Sequence, residues 1–180
     1  MTLDSLRPKI AWIVNPVARG MVRLHFTQNT CTVLALAAAG TGGVAFGLGQ
    51  PIWGVVCVLL NAFFDAIDGA VARVSGIASP AGDYLDHVFD RYADIFLITG
   101  IFAWGTVAWT RAVPAWAIGI FALTGVIMSS YLGTQAQAVG LKRNYGGILG
   151  RADRLLLLIV FGAVEAVYPA PLKRNYGGIL

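Results

Sequence analysis

Residues 65–90 read DAIDGAVARVSGIASPAGDYLDHVFD, and this stretch holds five of the nine acidic residues of the 180-residue chain. Asp65 and Asp68 are three residues apart, whereas Asp86 and Asp90 are four apart. Because positions three or four apart share one face of a helix, each pair of carboxylates should project from one side of its own helix. Glycine, serine and proline residues separate the two pairs, as in a short loop. The stretch therefore predicts two antiparallel helices that bring four carboxylates together.

The chain around this stretch is strongly apolar. Hydrophobic residues make up 57% of it and charged residues only 12%, about half the charged share of a soluble domain. Residues 31–64 contain no charge, and as one helix they would be about 50 Å long against a hydrocarbon core of about 30 Å. Two membrane-spanning helices must therefore share them. The composition predicts an all-α integral protein of the cell membrane. The net charge of +4 does not indicate a nucleic-acid partner, because the basic residues lie at the ends of apolar stretches.

Apolar segments and their flanking residues predict five transmembrane helices, at about residues 29–48, 51–74, 82–107, 113–138 and 155–168. Ahead of them, apolar residues recur at helical spacing between Ile10 and Leu24, close to four basic residues. This pattern predicts an amphipathic helix on the membrane surface, and a terminal helix packed against protein is the alternative. We expect a juxtamembrane helix at 1–26 and a transmembrane domain at 27–168.

The remaining segment, 169–180, is anomalous. Residues 141–149 read LKRNYGGIL, and residues 172–180 repeat the same nine residues. Known repeat architectures stack adjacent copies, whereas an unrelated span separates these two. We interpret the second copy as an artefact of the sequence and assign it no function.

The distribution of Lys and Arg predicts the orientation in the membrane. With the N-terminus inside, ten of the 13 basic residues fall on the cytoplasmic side, and only Arg111 lies in an outer loop. This asymmetry follows the positive-inside rule. Trp53, Trp104, Trp109 and Trp116 all fall near the outer interface, where indole rings are enriched. The N-terminus and the acid cluster are thus predicted to face the cytoplasm.

Ionisable side chains inside membrane spans are costly and mark functional sites. Four carboxylates at the ends of two helices would repel one another unless cations lay between them, and hard oxygen ligands favour Mg²⁺ or Mn²⁺. We expect two ions per site. Two alternatives are a salt-bridge network with Arg73 and Arg91 and a cation channel. The first explains only two acids, and the second needs acids in the outer halves of these spans, which contain none. The predicted metal ligands are Asp65, Asp68, Asp86 and Asp90.

The same stretch resembles the signature of the CDP-alcohol phosphotransferase (CDP-alcohol phosphatidyltransferase) family. The signature reads D-x2-D-G-x2-A-R-x8-G-x3-D-x3-D, and residues 65–90 match all eight defined positions. The resemblance extends over about residues 5–168. The segments SYLGTQAQAVG (130–140) and RNYGGILGRADRL (143–155) are similar to the inositol-phosphate branch of the family and its archaeal relatives.

The resemblance implies an enzyme that transfers the phospholipid moiety of a CDP-linked lipid (CDP-archaeol or CDP-diacylglycerol) to an alcohol, with release of CMP. It implies that the first three acids of the motif hold the metals, and that Asp90 also lies near them and is the general base. Small residues would let the nucleotide approach the helix backbones, and Arg73 would neutralise phosphate. The implied CDP-binding residues are Asp68, Gly69, Ala72, Arg73, Gly82 and Asp86.

Basic residues before the fifth span indicate that the acceptor itself carries phosphate. Arg151 and Arg154 are three residues apart, so both can reach one anion, and Lys142 and Arg143 precede them. An alternative reading of the last two is that they only follow the positive-inside rule. The acceptor is predicted to be a phosphorylated polyol such as inositol phosphate.

The chain departs from the family pattern in several places. Gly133 and Gln135 stand where inositol-phosphate synthases usually have Lys and Arg, so glycerol phosphate is an alternative acceptor. Gln28 stands where the family usually has proline. The family has six spans, whereas five are predicted here, and a homodimer is expected from the resemblance alone. More distant alternatives are a UbiA-type prenyltransferase, which Asn61 and Asp65 partly mimic, and a non-enzymatic carrier of lipid or metal.

Overall fold

The structure, a computed structural model, describes residues 7–103, 113–141 and 150–168. Within these ranges the chain is all helix, which confirms the predicted fold class. The elements are α1 (Arg7–Arg23), α2 (Gln28–Gly47), α3 (Pro51–Ser75), α4 (Pro80–Ala103), α5 (Ala115–Ala138) and α6 (Arg151–Val167).

Three of these helices are long and apolar enough to cross a membrane: α2, α3 and residues 116–138 of α5. The acidic cluster interrupts the apolar character of α4, and α6 has only 17 residues. The total of five spans therefore stays a prediction. The second copy of LKRNYGGIL and the outer-loop residues Trp104, Trp109 and Arg111 lie outside the described residues.

Turn-forming residues set the ends of the two motif helices. Pro51 opens α3, where its fixed φ suits a first helical position. Gly76 ends α3 with a φ of 70°, a left-handed conformation that glycine adopts without a Cβ penalty. Pro80 then begins α4 after only three further residues. This short connection brings the C-terminal end of α3 and the N-terminal end of α4 to the same end of the bundle.

Helix α2 packs against both α3 and α4 and forms the centre of the bundle. Its contact with α4 is a close approach of backbones, because a Cβ added at Gly100 would lie 2.6 Å from the Cα of Gly43. Small residues at such crossings are the usual means of packing helices tightly in membranes. The largest fully buried side chains of this core include Val58 and Leu97, and Leu155 of α6 completes it.

Helix α1 packs one of its faces against α3. Ala18 is fully buried in a cluster with Ile67 and Val71, on the motif helix. The apolar residues Trp12 and Ile13 instead remain exposed, at 75% and 51% of their surface. The helix is therefore packed against protein on one side, as in the alternative reading, while Trp12 and Ile13 stay exposed.

Candidate active site

The acids of the motif converge from two helices. Asp65 and Asp68 lie in the C-terminal half of α3, and Asp86 lies in the second turn of α4. One carboxylate oxygen from each of these three residues lies within 4.8 Å of the other two. The convergence predicted from their spacing is thus present in the structure.

The backbones that carry these acids are held apart. In the described residues, α3 and α4 have no pair of Cα atoms within 8 Å, whereas α2 packs closely against each of them. The carboxylates therefore face one another across the space between the two helices, which is called the α3–α4 cleft below. Oxygens within 4.8 Å of one another suit a metal ion between the two rows of acids.

Asp68 is the most buried acid of the motif, at 3% exposed. Its Oδ2 lies 3.1 Å from the hydroxyl of Thr32 in α2, and that hydroxyl also lies 3.0 Å from the carbonyl oxygen of Gln28. A threonine hydroxyl has one proton, so it donates to one of these two acceptors at a time. The motif alone gave no indication of Thr32, although its position on the N-terminal turn of α2 could have suggested a contact.

Asp86 carries a buried oxygen that lacks a partner. Among the described residues, no donor lies within hydrogen-bond distance of Asp86 Oδ1. Buried polar atoms are nearly always satisfied, so an unpartnered carboxylate oxygen on a residue grouped with two other acids fits a cation ligand. Oxygen donors from three carboxylates are what Mg²⁺ or Mn²⁺ prefers. The residues present therefore fit a divalent cation.

Asp90 belongs to a second group of possible ligands, with Asp86 and His87. Its Oδ1 also lies 2.8 Å from the Nη1 atom of Arg151, and the same nitrogen is 2.5 Å from Asp65 Oδ1. Arg151, the first residue of α6, thus bridges the acids of α3 and α4. The sequence predicted that Arg151 binds an acceptor phosphate, and in the structure it contacts two carboxylates.

A second charged group lies one helical turn further into the bundle. Arg154 of α6 donates a hydrogen bond to Asp94 Oδ2 over 3.3 Å, and Arg91 lies 3.6 Å from the same oxygen and 3.7 Å from Asp90. Asp94 is only 6% exposed. The motif does not include Asp94 or Arg91, and their only sequence signal was the presence of charge inside a predicted span.

The small residues of the motif lie on the same two helices as the acids. Gly82 is buried, and a Cβ added to it would lie 2.7 Å from the Oε1 atom of Gln28. Ala72 is buried on α3, Gly69 precedes it by one turn, and Arg73 is exposed. The structure thus brings the side chain of Gln28 onto Gly82. Lys142 and Arg143 lie outside the described residues.

Comparison with known proteins identifies the class of this site. The family model described as CDP-alcohol phosphatidyltransferase matches residues 26–172. The chain therefore belongs to the CDP-alcohol phosphatidyltransferase family and is a membrane-embedded transferase. The family inferred from the motif is confirmed, and membership excludes the prenyltransferase and non-enzymatic readings.

Two relatives with assigned activities are similar to the chain over most of its length. The chain is 34% identical over 159 residues to the phosphatidylinositol phosphate synthase of Mycobacteroides abscessus, covering 88% of this chain and 71% of the relative. It is 28% identical over 165 residues to the archaetidylinositol phosphate synthase of Pyrococcus horikoshii, covering 92% of this chain and 84% of the relative.

Solved structures give the same result. The crystal structure of Mycobacterium tuberculosis phosphatidylinositol phosphate synthase with CDP-DAG bound matches with a TM-score of 0.75 at 30% identity, covering 89% of this chain and 79% of that one. A second structure of that enzyme, in complex with manganese and citrate, matches with a TM-score of 0.74 at 30% identity, covering 87% and 74%.

Proposed function

We propose that this protein transfers the phospholipid moiety of a CDP-linked lipid to a hydroxyl of inositol phosphate and releases CMP. The observation that carries the proposal is the convergence of Asp65, Asp68 and Asp86 across the α3–α4 cleft, with Arg151 in contact with Asp65 and Arg154 one helical turn further along α6. The names of the relatives supply the acceptor. The donor lipid has acyl or isoprenoid tails, and both forms belong in the assay.

In this proposal, Asp65, Asp68 and Asp86 hold the metal, with Asp90 at its edge. When bound, one or two Mg²⁺ or Mn²⁺ ions supply the positive charge that offsets the diphosphate and the departing CMP. The burial of Asp68 keeps that carboxylate in one position, and Thr32 contacts it in the metal-free site. Gly69, Ala72 and Gly82 leave space for the nucleotide, and Arg73 is the proposed phosphate contact near the end of α3.

Asp90 is the proposed general base. The acceptor hydroxyl oxygen attacks the lipid-linked phosphorus, a new P–O bond forms, and the bond between that phosphorus and the oxygen of CMP breaks. Asp90 takes the hydroxyl proton, and CMP leaves as the phosphate monoester. A base must lie within hydrogen-bond reach of the attacking hydroxyl, and Asp90 faces the same cleft as the metal-binding acids.

The acceptor phosphate is proposed to bind Arg151 and Arg154. Both lie on the first turn of α6, so their guanidinium groups can meet one phosphate from the same side. Lys142 and Arg143 are proposed to assist on sequence grounds alone. Because Gly133 and Gln135 replace the expected basic residues, glycerol phosphate is the second candidate acceptor.

The site is proposed to face the cytoplasm, with the N-terminus on the same side. This orientation rests on the positive-inside count of Lys and Arg. It leaves the lipid tails in the bilayer while the nucleotide and the polyol phosphate reach the cleft from water. A homodimer is proposed from the family resemblance, and light scattering of the detergent-solubilised protein would measure it.

The test is CMP release by the purified protein in detergent with Mg²⁺ or Mn²⁺, using CDP-diacylglycerol and CDP-archaeol as donors. Inositol phosphate, glycerol phosphate, free inositol and serine are compared as acceptors. Asp86→Asn should abolish release, because it removes a charged oxygen ligand without changing shape. Asp83→Asn is the matched control, since Asp83 lies on the same helix with its side chain 75% exposed and outside both ligand groups.

Each acceptor result has a defined meaning. Metal-dependent release with inositol phosphate supports the proposal, and release with glycerol phosphate alone supports the second candidate. Release with serine or free inositol alone would overturn the acceptor role of Arg151 and Arg154. An absence of release with every acceptor would overturn the proposed reaction.

A further inference from the structure

Arg151 lies in a position that its proposed role in acceptor binding does not explain. Its Nη1 atom contacts Asp65 Oδ1 at 2.5 Å and Asp90 Oδ1 at 2.8 Å. The three side chains are only 14–15% exposed. A single guanidinium nitrogen therefore lies between the two rows of carboxylates, one from α3 and one from α4, at the edge of the cation site.

Asp65 and Asp90 each belong to a group of candidate metal ligands, so Arg151 contacts two carboxylates that a cation would also use. A Mg²⁺ ion bonds its oxygen ligands at about 2.0–2.1 Å, so a cation on Asp65 Oδ1 would lie within about 5 Å of Arg151 Nη1. Two positive charges at this separation repel strongly where water is partly excluded. The contacts of Arg151 and the binding of a cation by the same carboxylates therefore oppose each other.

We propose that Arg151 competes with the divalent cation for Asp65 and Asp90, and that cation binding releases its guanidinium toward the phosphate of the acceptor. This inference rests on the proposed function and adds an order of binding to it. Once the carboxylates are neutralised, the acceptor phosphate becomes the strongest anionic partner within reach of Arg151. Arg151 thus couples acceptor binding to occupation of the metal site.

Thermodynamic linkage makes this coupling reciprocal. If the cation strengthens binding of the acceptor through Arg151, then the acceptor strengthens binding of the cation by the same factor. Coupling of this kind typically changes an affinity by about 5- to 150-fold. If substitution of Arg151 abolishes this coupling, Arg151 acts by competing with the cation. If the coupling persists, Arg151 makes only a fixed contribution to phosphate affinity.

Arg154 offers a matched control on the same helix. Its guanidinium bonds to Asp94, which belongs to neither group of candidate metal ligands among the described residues. Removal of Arg154 should therefore weaken acceptor binding without a large change in cation affinity. Arg151→Gln and Arg154→Gln remove the same charge from positions one helical turn apart.

The first measurement is a Mn²⁺ titration of the full chain in detergent, followed by the EPR signal of free Mn²⁺, with no lipid or acceptor present. We expect Arg151→Gln to lower the dissociation constant for Mn²⁺ by about tenfold or more, and Arg154→Gln to change it by less than about threefold. Equal or weaker Mn²⁺ binding by Arg151→Gln would overturn the proposal, because it would mean that Arg151 does not oppose the cation.

The second measurement is calorimetric binding of inositol phosphate with and without Mn²⁺. In the unaltered protein and in Arg154→Gln, Mn²⁺ should tighten binding by about tenfold, and in Arg151→Gln this gain should disappear. An equal gain in all three proteins would contradict the proposal. If Arg151→Gln does not fold, Arg151→Lys serves instead, because a lysine ammonium cannot reproduce the guanidinium geometry and should bind the acids less firmly.

The two binding measurements can succeed or fail independently of the proposed reaction. The Mn²⁺ titration needs no substrate, so competition can hold even if no acceptor yields CMP, and the proposed function would then fail alone. Conversely, CMP release by the unaltered protein together with unchanged Mn²⁺ affinity in Arg151→Gln would retain the reaction and reject the competition.

Discussion

Substitution of Gly100 by alanine tests the close crossing of α2 and α4. An added Cβ would lie closest to the carbonyl oxygen of Gly43 and 2.6 Å from both the Cα and the carbonyl carbon of that residue, whereas ordinary contacts begin at 3.4 Å. The two helices must therefore separate by about 0.8 Å or more, because neither backbone atom can rotate away. A gap of about 0.5–1 Å forfeits a quarter to a half of each dispersion contact.

We expect Gly100→Ala to lower the free energy of unfolding by about 3 kcal/mol, the upper end of the range for an overfilled core. Gly125→Ala is the control, because Gly125 lies within α5 and an added Cβ would meet no atom within 4 Å. This control should be neutral or should stabilise the protein by up to about 1 kcal/mol, the difference in helix propensity between glycine and alanine.

The assay is a denaturant titration in mixed micelles, followed by tryptophan fluorescence, with Mn²⁺ affinity measured in parallel. Gly100 lies ten residues beyond Asp90, about 15 Å along α4, so Mn²⁺ binding should change far less than stability does. Equal stability of Gly100→Ala and Gly125→Ala would refute the close approach of the two backbones.

Three further predictions concern the site. Asp90→Asn should lower turnover by about 10²- to 10⁴-fold, the usual contribution of a general base, while Mn²⁺ binding persists. Asp68→Asn should instead weaken Mn²⁺ binding. If EPR titrations showed weaker Mn²⁺ binding in Asp90→Asn and unchanged binding in Asp68→Asn, the two roles would be exchanged. Gly82→Ala should raise the KM for the CDP-linked lipid, and Gln28→Ala in the same chain should not restore it if the nucleotide needs the space; a full restoration would mean that Gly82 is small only to accommodate Gln28. His87→Ala should leave Mn²⁺ affinity nearly unchanged, because the imidazole side chain is 46% exposed and lies 3.9 Å from the exposed carboxylate of Asp83; a marked loss of affinity would make His87 a ligand.

The helices were predictable from sequence because a membrane permits few backbone conformations. Lipid offers no hydrogen bonds, so each apolar segment must satisfy its own backbone as a helix. The second segment was predicted at 51–74 and forms a helix over Pro51–Ser75. The packing of α1 on α3 was harder to predict, because an amphipathic stripe looks the same whether lipid or protein covers it.

The acid cluster was predictable for a related reason. Spacings of three and four residues place carboxylates on one helix face, and a short connection brings two such faces together. Thr32 is 36 residues from its partner Asp68, and Asp94 is 60 residues from Arg154. No spacing within one helix encodes contacts of this kind, since they depend on how α2 and α6 are rotated against the motif helices.

The Thr32 hydroxyl bears one proton and faces two acceptors, the Gln28 carbonyl and Asp68 Oδ2. While Asp68 lacks a cationic neighbour, the proton can serve the carboxylate; when an ion neutralises that oxygen, the proton can turn to the carbonyl. A rotation about a single C–O bond thus keeps this buried end of the cleft hydrogen-bonded in both states. The site can therefore pass between its metal-free and metal-bound states without repacking a side chain. A valine at position 32 would keep the volume of the threonine but could not donate to either acceptor.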